Sequence, residues 1–330
     1  MSKRILIFWT DRLGDLIVTC PVILTIKEYF FNTHITLIAS KKNFEYASKT
    51  NFFNNIIQYP EKGIINKFIF FSKLKKEKFD YIFIFDGKER SFISSFFLKS
   101  KYKVALSTKI KSYYGIYNIK FFKFDEEDKL YEVYQSIINH CEIKTEITNY
   151  NFLTKLVDNN FSKEVPIDNY VHIHLDEKWF SKHYITTYTD IRPNYDQFID
   201  FINKISENDN LLITTGIVNF DFLDELRSRF FLKLNEKIYV KKNLNKSIYL
   251  IFKPSFFDIE SLIKKTKILI TCHGPLTHIA NHFNIKLIDI IEENKIKFYN
   301  SYTHYIKNYN FMFRKDFSEL KSNLLKFIKE

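Results

Sequence analysis

Apolar and polar positions along the first half of the chain follow two periods. Residues 4–9 and 35–39 are short β-branched and aromatic runs typical of buried strands, and residues 16–29 between them have the pattern of a helix. A strand, a helix and a second strand in this order indicate a βαβ unit and hence a parallel sheet. The alternation continues through predicted strands at 56–59, 81–85 and 103–105 and predicted helices at 65–78 and 91–98.

The second half repeats this alternation after a break. Residues 158–169 are polar and contain a proline, so we expect a linker there. Ser255 and Asp258 predict a capping box at the start of a helix. The predicted strands are 170–175, 211–215, 248–252 and 268–271, and the predicted helices are 195–206, 220–230 and 259–265. The last segment is predicted to be an amphipathic helix with Phe317, Leu320, Leu324 and Phe327 on its apolar side.

These patterns predict an α/β protein made of two Rossmann-like domains, each with a doubly wound parallel sheet. We place the first domain at residues 1–160, the second at 161–315 and the C-terminal helix at 316–330. A chain of 330 residues with 45% hydrophobic residues is long and apolar enough to bury a core, which excludes wholesale disorder.

The charge of the chain is basic. It has 50 Lys and Arg against 38 Asp and Glu, a formal net charge of +12, and the surplus is concentrated in residues 61–120. A basic surface prefers anionic partners such as nucleic acid, phospholipid or phosphorylated sugars. Base composition of the genome and a solvated lysine-rich surface also explain such a surplus, and no nucleic-acid-binding motif accompanies it. We therefore expect no nucleic acid partner.

Several classes of protein are excluded by what the sequence lacks. Its six glycines are at least 24 positions apart, so neither a GxGxxG dinucleotide fingerprint nor a phosphate-binding P-loop is present. No Asp-x-Asp pair is available to hold a metal-bound diphosphate, and the three cysteines form no CxxC pair. We expect phosphate chemistry without a metal. The cysteines and the absence of a long apolar run predict a cytoplasmic protein with no export signal and no membrane span.

The first candidate site is the turn Asp11-Arg12-Leu13-Gly14-Asp15, between the first predicted strand and helix. Open α/β sheets bind ligands at the carboxyl ends of their strands, which is where this turn lies. Gly14 permits close approach of the backbone, and Asp15 in the first helical turn is placed to act as a carboxylate base. Alternatively, Asp15 only caps the helix.

The second candidate site is the corner at residues 271–280. Gly274 and Pro275 begin a helix whose N–H groups, from Leu276 to His278, are predicted to hold a diphosphate. The side chains of Thr277 and His278 add donors. A tight corner with a core histidine is the alternative. His278 and His282 have the spacing of a zinc-binding helix, but Ile279 stands where a metalloprotease needs glutamate.

The third candidate is Lys178, which follows the predicted strand 170–175. If the two domains face each other, its ammonium lies in the cleft and suits a departing phosphate. An ordinary surface lysine paired with Asp176 or Glu177 is the alternative.

Together these segments resemble glycosyltransferase family 9, the bacterial ADP-heptose:lipopolysaccharide heptosyltransferases. The similarity runs through residues 4–21, with their Leu-Gly-Asp turn, residues 80–91, residues 176–179 and the His-Gly-Pro-Leu-Thr-His-Ile-Ala stretch at 273–280. The resemblance implies GT-B architecture, with two domains facing across a cleft and the C-terminal helix crossing back onto the first. The first domain would then hold the acceptor and the second the nucleotide sugar.

The resemblance also implies a reaction. Asp15 would remove the acceptor proton in an inverting, metal-independent transfer. Lys178 and the helix start at Gly274, Pro275, Leu276, Thr277 and His278, with Gly14 on the other domain, would bind the donor diphosphate. The acceptor side would include Asp11, Arg12 and Arg90. The donor would be ADP-heptose or another nucleotide sugar, and the acceptor an anionic, lipid-linked or lipopolysaccharide-type glycan, reached by peripheral contact with the membrane.

One position departs from the family pattern. Counting back from His278 puts His273 where the family has an aspartate that reaches the donor sugar. Histidine offers a different set of hydrogen bonds to sugar hydroxyls, so the donor sugar stays open. The change also suggests an alternative function, a sugar-nucleotide or glycan-binding protein without catalysis. A basic nucleic-acid-binding protein is the third hypothesis.

Overall fold

The computed structural model describes residues 2–150, 160–180, 191–243 and 246–329. The chain divides into two compact units. The first comprises Met1–Lys155 and the short segment Asn300–His304, and the second comprises Leu156–Tyr299 and Tyr305–Glu330. We expected the boundary after residue 160, within a linker at 158–169. The first two residues of that linker lie outside the described residues, and the remainder includes buried Phe161, Val165 and Ile167 of the second unit.

The first unit is built on a parallel sheet of six strands in the order β3-β2-β1-β4-β5-β6. Its strands are β1 (Lys3–Trp9), β2 (Thr33–Ala39), β3 (Asn55–Gln58), β4 (Tyr81–Ile84), β5 (Tyr102–Ser107) and β6 (Lys120–Lys123). Its helices are α1 (Leu13–Tyr29), α2 (Lys41–Lys49), α3 (Ile64–Lys75), α4 (Glu89–Phe96) and α5 (Leu130–His140). This strand order is that of a doubly wound fold, as the sequence pattern predicted.

The order of the strands reverses between β1 and β4. β1 pairs with β2 on one side and with β4 on the other, so the connections from these two strands run to opposite sides of the sheet. In open α/β sheets the crevice outside the carboxyl ends of such a strand pair is where ligands bind. Residues 10–12, after β1, and residues 85–88, after β4, lie at this point.

The second unit has a sheet of eight strands in the order β14-β13-β12-β7-β8-β11-β10-β9. Its strands are β7 (Tyr170–Leu175), β8 (Leu211–Thr215), β9 (Leu232–Lys233), β10 (Ile238–Asn243), β11 (Lys246–Ile251), β12 (Thr266–Cys272), β13 (Lys286–Ile291) and β14 (Tyr309–Phe313). Its helices are α6 (Tyr195–Ser206), α7 (Asp221–Phe230), α8 (Phe256–Ile263), α9 (Pro275–His282), α10 (Ile296–Thr303), whose residues 300–303 belong to the first unit, and α11 (Phe317–Lys329).

One edge of this second sheet departs from the predicted all-parallel pattern. β10 is antiparallel to both β11 and β9, whereas the strands from β14 to β11 in this order, six in all, are parallel to one another. β10 and β11 are too close in sequence for a crossover helix, which a parallel pair would require. The capping box at the start of α8 is confirmed, since Ser255 and Asp258 each accept a hydrogen bond from the other's N–H.

The C-terminal helix α11 packs within the second unit, whereas we expected it on the first. The ring of Phe317 lies 5.8 Å from that of Phe198 and 5.5 Å from that of Phe201, both on α6. Leu320 and Leu324 are buried in the same core. The apolar side of α11 thus covers the apolar side of α6. The part of the late chain that belongs to the first unit is Asn300–His304, at the end of α10.

Candidate active site

The turn after β1 is held in place by the next strand–helix connection. Ser40 donates its hydroxyl to the Asp11 carbonyl at 2.7 Å, and Asn43 donates its side-chain amide to the Trp9 carbonyl at 2.9 Å. Helix α1 then begins at Leu13, after the extended backbone of Arg12. Sequence reasoning missed these two anchoring residues. Their signal in the sequence was the Ser-x-x-Asn spacing, and in the structure the two side chains form a capping box at the start of α2.

Asp15 lies in the first turn of α1, half-buried, on the wall of a cavity of about 240 Å³ in the first unit. Asp11, Asp86, Lys88, Tyr134 and Tyr302 also line it. The N-terminal end of a helix favours the ionised form of a carboxylate in the first turn. The cavity therefore holds a carboxylate next to space that a small polar group can enter.

Two tyrosine hydroxyls share this cavity with Asp15. Burial raises the pKa of Tyr134 and of Tyr302, and the negative charge of Asp15 raises both further. The Tyr134 hydroxyl lies 3.0 Å from the Thr19 hydroxyl, which donates to the backbone carbonyl of Asp15 at 2.9 Å. Both phenols therefore stay protonated at neutral pH, which leaves carboxylates as the proton acceptors on this wall.

Asp86, at the end of β4, organises the point where the strand order reverses. Its carboxylate accepts hydrogen bonds from the Thr10 N–H at 2.9 Å, the Thr10 hydroxyl at 2.6 Å and the Ser91 hydroxyl at 2.7 Å. Burial nevertheless raises its pKa above the ordinary value. Arg90 in turn donates from Nε to the Thr10 hydroxyl at 2.8 Å and from a terminal nitrogen to the Thr10 carbonyl. Sequence reasoning found Arg90 but did not identify Asp86 as a site residue.

A second cavity of about 510 Å³ adjoins this network in the first unit. Four basic side chains, two carboxylates and three uncharged residues line it. The basic residues are Lys42, Lys67, Lys88 and Arg90, the acidic ones are Asp11 and Glu61, and the uncharged ones are Thr10, Ser40 and Tyr59. The Lys88 ammonium forms an ion pair with Asp11 at 2.7 Å, so Asp11 is neutralised within the site. Arg12 is exposed at the N-cap of α1 and makes no capping hydrogen bond through its side chain. The surplus of positive charge suits an anionic ligand.

In the second unit, the corner between β12 and α9 begins the way the sequence predicted. Gly274 is the N-cap of α9 and Pro275 is its first residue. The Gly274 N–H donates to the Thr277 hydroxyl at 3.3 Å, and the Thr277 N–H donates to the Gly274 carbonyl at 3.1 Å. One of the N–H groups expected for a diphosphate, that of Thr277, therefore serves the corner itself.

The side chains of α9 that were expected to add donors point inward. Leu276 and Thr277 are buried, and the Thr277 hydroxyl donates to Asp289 at 3.3 Å. His278 is also buried, with its Nδ1 at 2.7 Å from the Tyr305 hydroxyl. Burial lowers the pKa of His278 well below its ordinary value, so this ring is neutral at pH 7. Their positions suit the alternative of a tight corner better than direct ligand contact.

His273 is backed by a buried carboxylate that sequence reasoning missed. Its Nδ1 lies 2.6 Å from Asp289, whose side chain is fully buried on β13, while the His273 side chain keeps 15% exposure. Asp289 also accepts from the Tyr309 hydroxyl at 3.1 Å and from Thr277. A carboxylate that accepts from Nδ1 fixes the orientation of the ring and leaves Nε2 for another partner. The only sequence signal was an acidic residue within an apolar strand.

Lys178 reaches the same corner from the end of β7. Its ammonium lies 3.0 Å from an Asp176 carboxylate oxygen and donates to the His273 carbonyl at 2.6 Å. Burial by itself lowers the pKa of Lys178, but the charge of Asp176, its hydrogen bond and the other nearby negative groups together outweigh burial, so the pKa is raised and the ammonium stays protonated at pH 7. An ammonium has three N–H donors, and these contacts use two.

Steric crowding explains why a glycine stands at the start of α9. A Cβ at position 274 would lie 3.1 Å from the Lys178 ammonium nitrogen, closer than nearly all such contacts. Gly274 thus lets Lys178 pass over the corner. The structure brings together Lys178, His273 and Gly274 in the second unit, and Asp11, Asp15 and Arg90 around the two cavities of the first.

The described part of the chain contains no arrangement typical of a metal centre. Within it, no group of three or more His, Cys, Asp or Glu side chains is arranged to hold a metal ion. His282, the second member of the zinc-like spacing, is in contact with the ring of Phe283, and burial lowers its pKa to about 4.

Comparison with solved structures identifies the fold. E. coli ADP-heptose lps heptosyltransferase II matches with a TM-score of 0.69 and 12% identity over 99% of this chain and 97% of its own. E. coli heptosyltransferase WaaC, solved with ADP, matches with a TM-score of 0.66 and 11% identity over 99% and 97%. A glycosyl transferase family 9 protein from Veillonella parvula matches at 0.67 and 13% over 99% and 89%.

The chain has the GT-B fold of the family 9 heptosyltransferases. The fold class predicted from the sequence is therefore confirmed, and so is the resemblance to family 9 as a likeness of structure. Neither family models nor curated protein sequences match this chain. The GT-B fold also covers a further match, UDP-GlcNAc 2-epimerase from Methanocaldococcus jannaschii, with a TM-score of 0.58 and 13% identity over 100% of this chain and 92% of its own.

Proposed function

We propose that this chain is an inverting glycosyltransferase that works without a metal ion. It transfers a sugar, heptose or a related one, from a nucleotide diphosphate donor to a lipopolysaccharide-type or other lipid-linked acceptor. The observation that carries the proposal is the carboxylate of Asp15 on a cavity wall at the carboxyl end of β1, in a chain with the family 9 heptosyltransferase fold. Fold alone does not determine activity, so the argument depends on the side chains.

Asp15 acts as the general base in this reaction. The acceptor hydroxyl oxygen attacks the anomeric carbon of the donor while its proton passes to the Asp15 carboxylate. Two other acidic side chains line this cavity: Asp11 is paired with Lys88, and Asp86 accepts from Thr10 and Ser91. The neighbouring phenols of Tyr134 and Tyr302 stay protonated. Asp15 is the carboxylate that the first turn of α1 places on this wall, beside space that the acceptor hydroxyl can enter.

Lys178 stabilises the leaving group. As the bond between the anomeric carbon and the diphosphate oxygen breaks, its electron pair moves onto that oxygen. The third N–H of the Lys178 ammonium and the positive end of α9 stabilise the developing charge. A protonated lysine fixed by Asp176 and the His273 carbonyl supplies positive charge that a metal ion provides in other transferases.

The acceptor binds in the basic cavity lined by Lys42, Lys67, Lys88 and Arg90. Its charge suits the phosphate or carboxylate groups of an anionic glycan. No helix within the described ranges is both long and apolar enough to cross a bilayer. Because the basic cavity suits an anionic headgroup, we propose a cytoplasmic enzyme that reaches its lipid-linked acceptor by peripheral contact with the membrane.

The donor test uses thermal unfolding. A ligand that binds the native state raises the melting temperature, so a screen of nucleoside diphosphates and their sugars identifies the nucleotide and then the sugar. We expect a nucleotide sugar to stabilise the chain, and transfer to an acceptor to persist in EDTA. Stabilisation without transfer to any acceptor would favour a sugar-nucleotide-binding protein. Conversion of the donor to a 2-epimer would favour an epimerase.

His273 is expected to contact the sugar. His273→Ala should weaken binding of the sugar nucleotide about tenfold, the loss of roughly one hydrogen bond to a positioned ring, and leave binding of the nucleoside diphosphate unchanged. Calorimetric titration of both ligands measures the two constants. Tyr309→Phe is the matched control, because it removes another hydrogen bond to Asp289 without touching His273. Equal weakening of both ligands would contradict a sugar contact.

A further inference from the structure

Helix α3 of the first unit turns an apolar side to the solvent. Ile64, Ile65, Phe68 and Ile69 are 88%, 74%, 70% and 46% exposed. Their spacing places them on one side of the helix, which we call the outer face of α3. The opposite side buries Phe70 and Leu74 in the core of the unit. The helix therefore has two apolar sides, and only one of them is used by the fold.

Exposed apolar groups extend beyond the outer face of α3. The ring of Phe71 lies 6.5 Å from that of Phe97, which follows α4, and Phe97 contacts Phe96. Both Phe96 and Phe97 are about half exposed. Contiguous apolar surface of this kind on a folded chain marks an interaction site, whereas single exposed apolar residues do not.

The charge around the outer face indicates what it binds. Residues 61–78 carry six lysines against two glutamates, and Lys62, Lys73, Lys75 and Lys76 are exposed. Lysines beside an exposed apolar helix face are typical of a segment that lies in the interface of an anionic bilayer. A second copy of this chain would bring the same lysines into contact with one another, so charge disfavours a dimer through this face.

We propose that the outer face of α3 docks on an anionic membrane surface. Ile64, Ile65, Phe68 and Ile69 enter the boundary between headgroups and acyl chains, and the flanking lysines contact lipid phosphates. Lys67 of the same helix lines the basic cavity, so docking brings that cavity to the headgroup level. The inference rests on the proposed function only for the identity of the acceptor; the docking itself is a property of the surface.

The test measures binding to vesicles by sedimentation. The probes are vesicles of phosphatidylcholine with about one-third phosphatidylglycerol, and vesicles of phosphatidylcholine alone. The double variant Ile65→Gln/Phe68→Gln should bind the anionic vesicles at least about tenfold more weakly than the wild type, because both changed side chains lose their buried apolar surface. The matched control is Phe31→Gln/Ile217→Gln, which removes one exposed phenylalanine and one exposed isoleucine elsewhere. It should bind like the wild type.

The outcomes separate the alternatives. Equal binding by the double variant and the wild type, or equal loss in the control, would overturn the proposal. A dimer in solution that the double variant dissociates would also overturn it and assign the face to self-association. Preference for anionic over neutral vesicles, lost at high salt, supports it. Donor-induced stabilisation is measured without vesicles, so its absence would contradict the proposed function and not the docking.

Discussion

Asp15→Asn should lower the rate of sugar transfer by about 10²- to 10⁴-fold, the usual contribution of a positioned general base. The substitution keeps the size and shape of the side chain and removes its ability to accept the acceptor proton. We expect the fold to persist, because Asp15 is half-buried in the first turn of α1, and the apolar residues of that helix form its packing contacts. Binding of the donor should change little. Steady-state kinetics and calorimetric titration with the donor measure the two effects.

Asp11→Asn is the matched control for this experiment. It removes the same charge from the same cavity, but the Asp11 carboxylate is already paired with Lys88 at 2.7 Å. We expect a change in the KM for the acceptor and a far smaller loss in kcat than for Asp15→Asn. A full rate for Asp15→Asn, or equal losses in kcat for both variants, would remove Asp15 as the base.

Lys178→Ala should lower kcat by about 10²- to 10³-fold, the size expected when a fixed positive group at a leaving oxygen is lost. It should also destabilise the fold, because the carboxylate of Asp176 loses its ion-pair partner in a largely buried position. The loss of stability should be about 1–3 kcal/mol, since the pair retains some solvent contact. Denaturant unfolding and single-turnover kinetics measure these quantities.

The double variant Asp176→Asn/Lys178→Ala separates the two effects. Removing the carboxylate charge should restore much of the lost stability, because no unpaired charge is left at the end of β7. The transfer rate should stay low, because the ammonium is still missing. A rate that recovers together with stability would make Lys178 a structural residue and contradict its role at the leaving group.

The sequence predicted the fold well because both sheets are formed mainly of short apolar runs separated by helices. The elements 195–206 and 211–215 match α6 and β8 to the residue, and the turn at Asp15 lies at the carboxyl end of β1 as expected. The antiparallel β10 was missed because its apolar run is short and two lysines interrupt it. A pattern of this kind does not distinguish an edge strand from a loop.

The site was less predictable, because long-range partners decide what each side chain does. Thr277 and His278 have the residue types of ligand donors, yet Asp289 and Tyr305 bind them from inside the second unit. The carboxylate behind His273 comes from β13, sixteen positions further along the chain. Lys178 was found by its place after a strand. Its fixed orientation depends on the His273 carbonyl, which no local pattern indicates.

The short segment Asn300–His304 decides how this protein can be divided. It belongs to the first unit although 144 residues of the second unit precede it, and its Tyr302 lines the cavity that holds Asp15. A fragment that stops at residue 155 would lack one wall of its own candidate active site. A chimera that exchanges the amino-terminal half for that of another enzyme must therefore carry these five residues from the same parent, or its catalytic cavity will be of mixed origin.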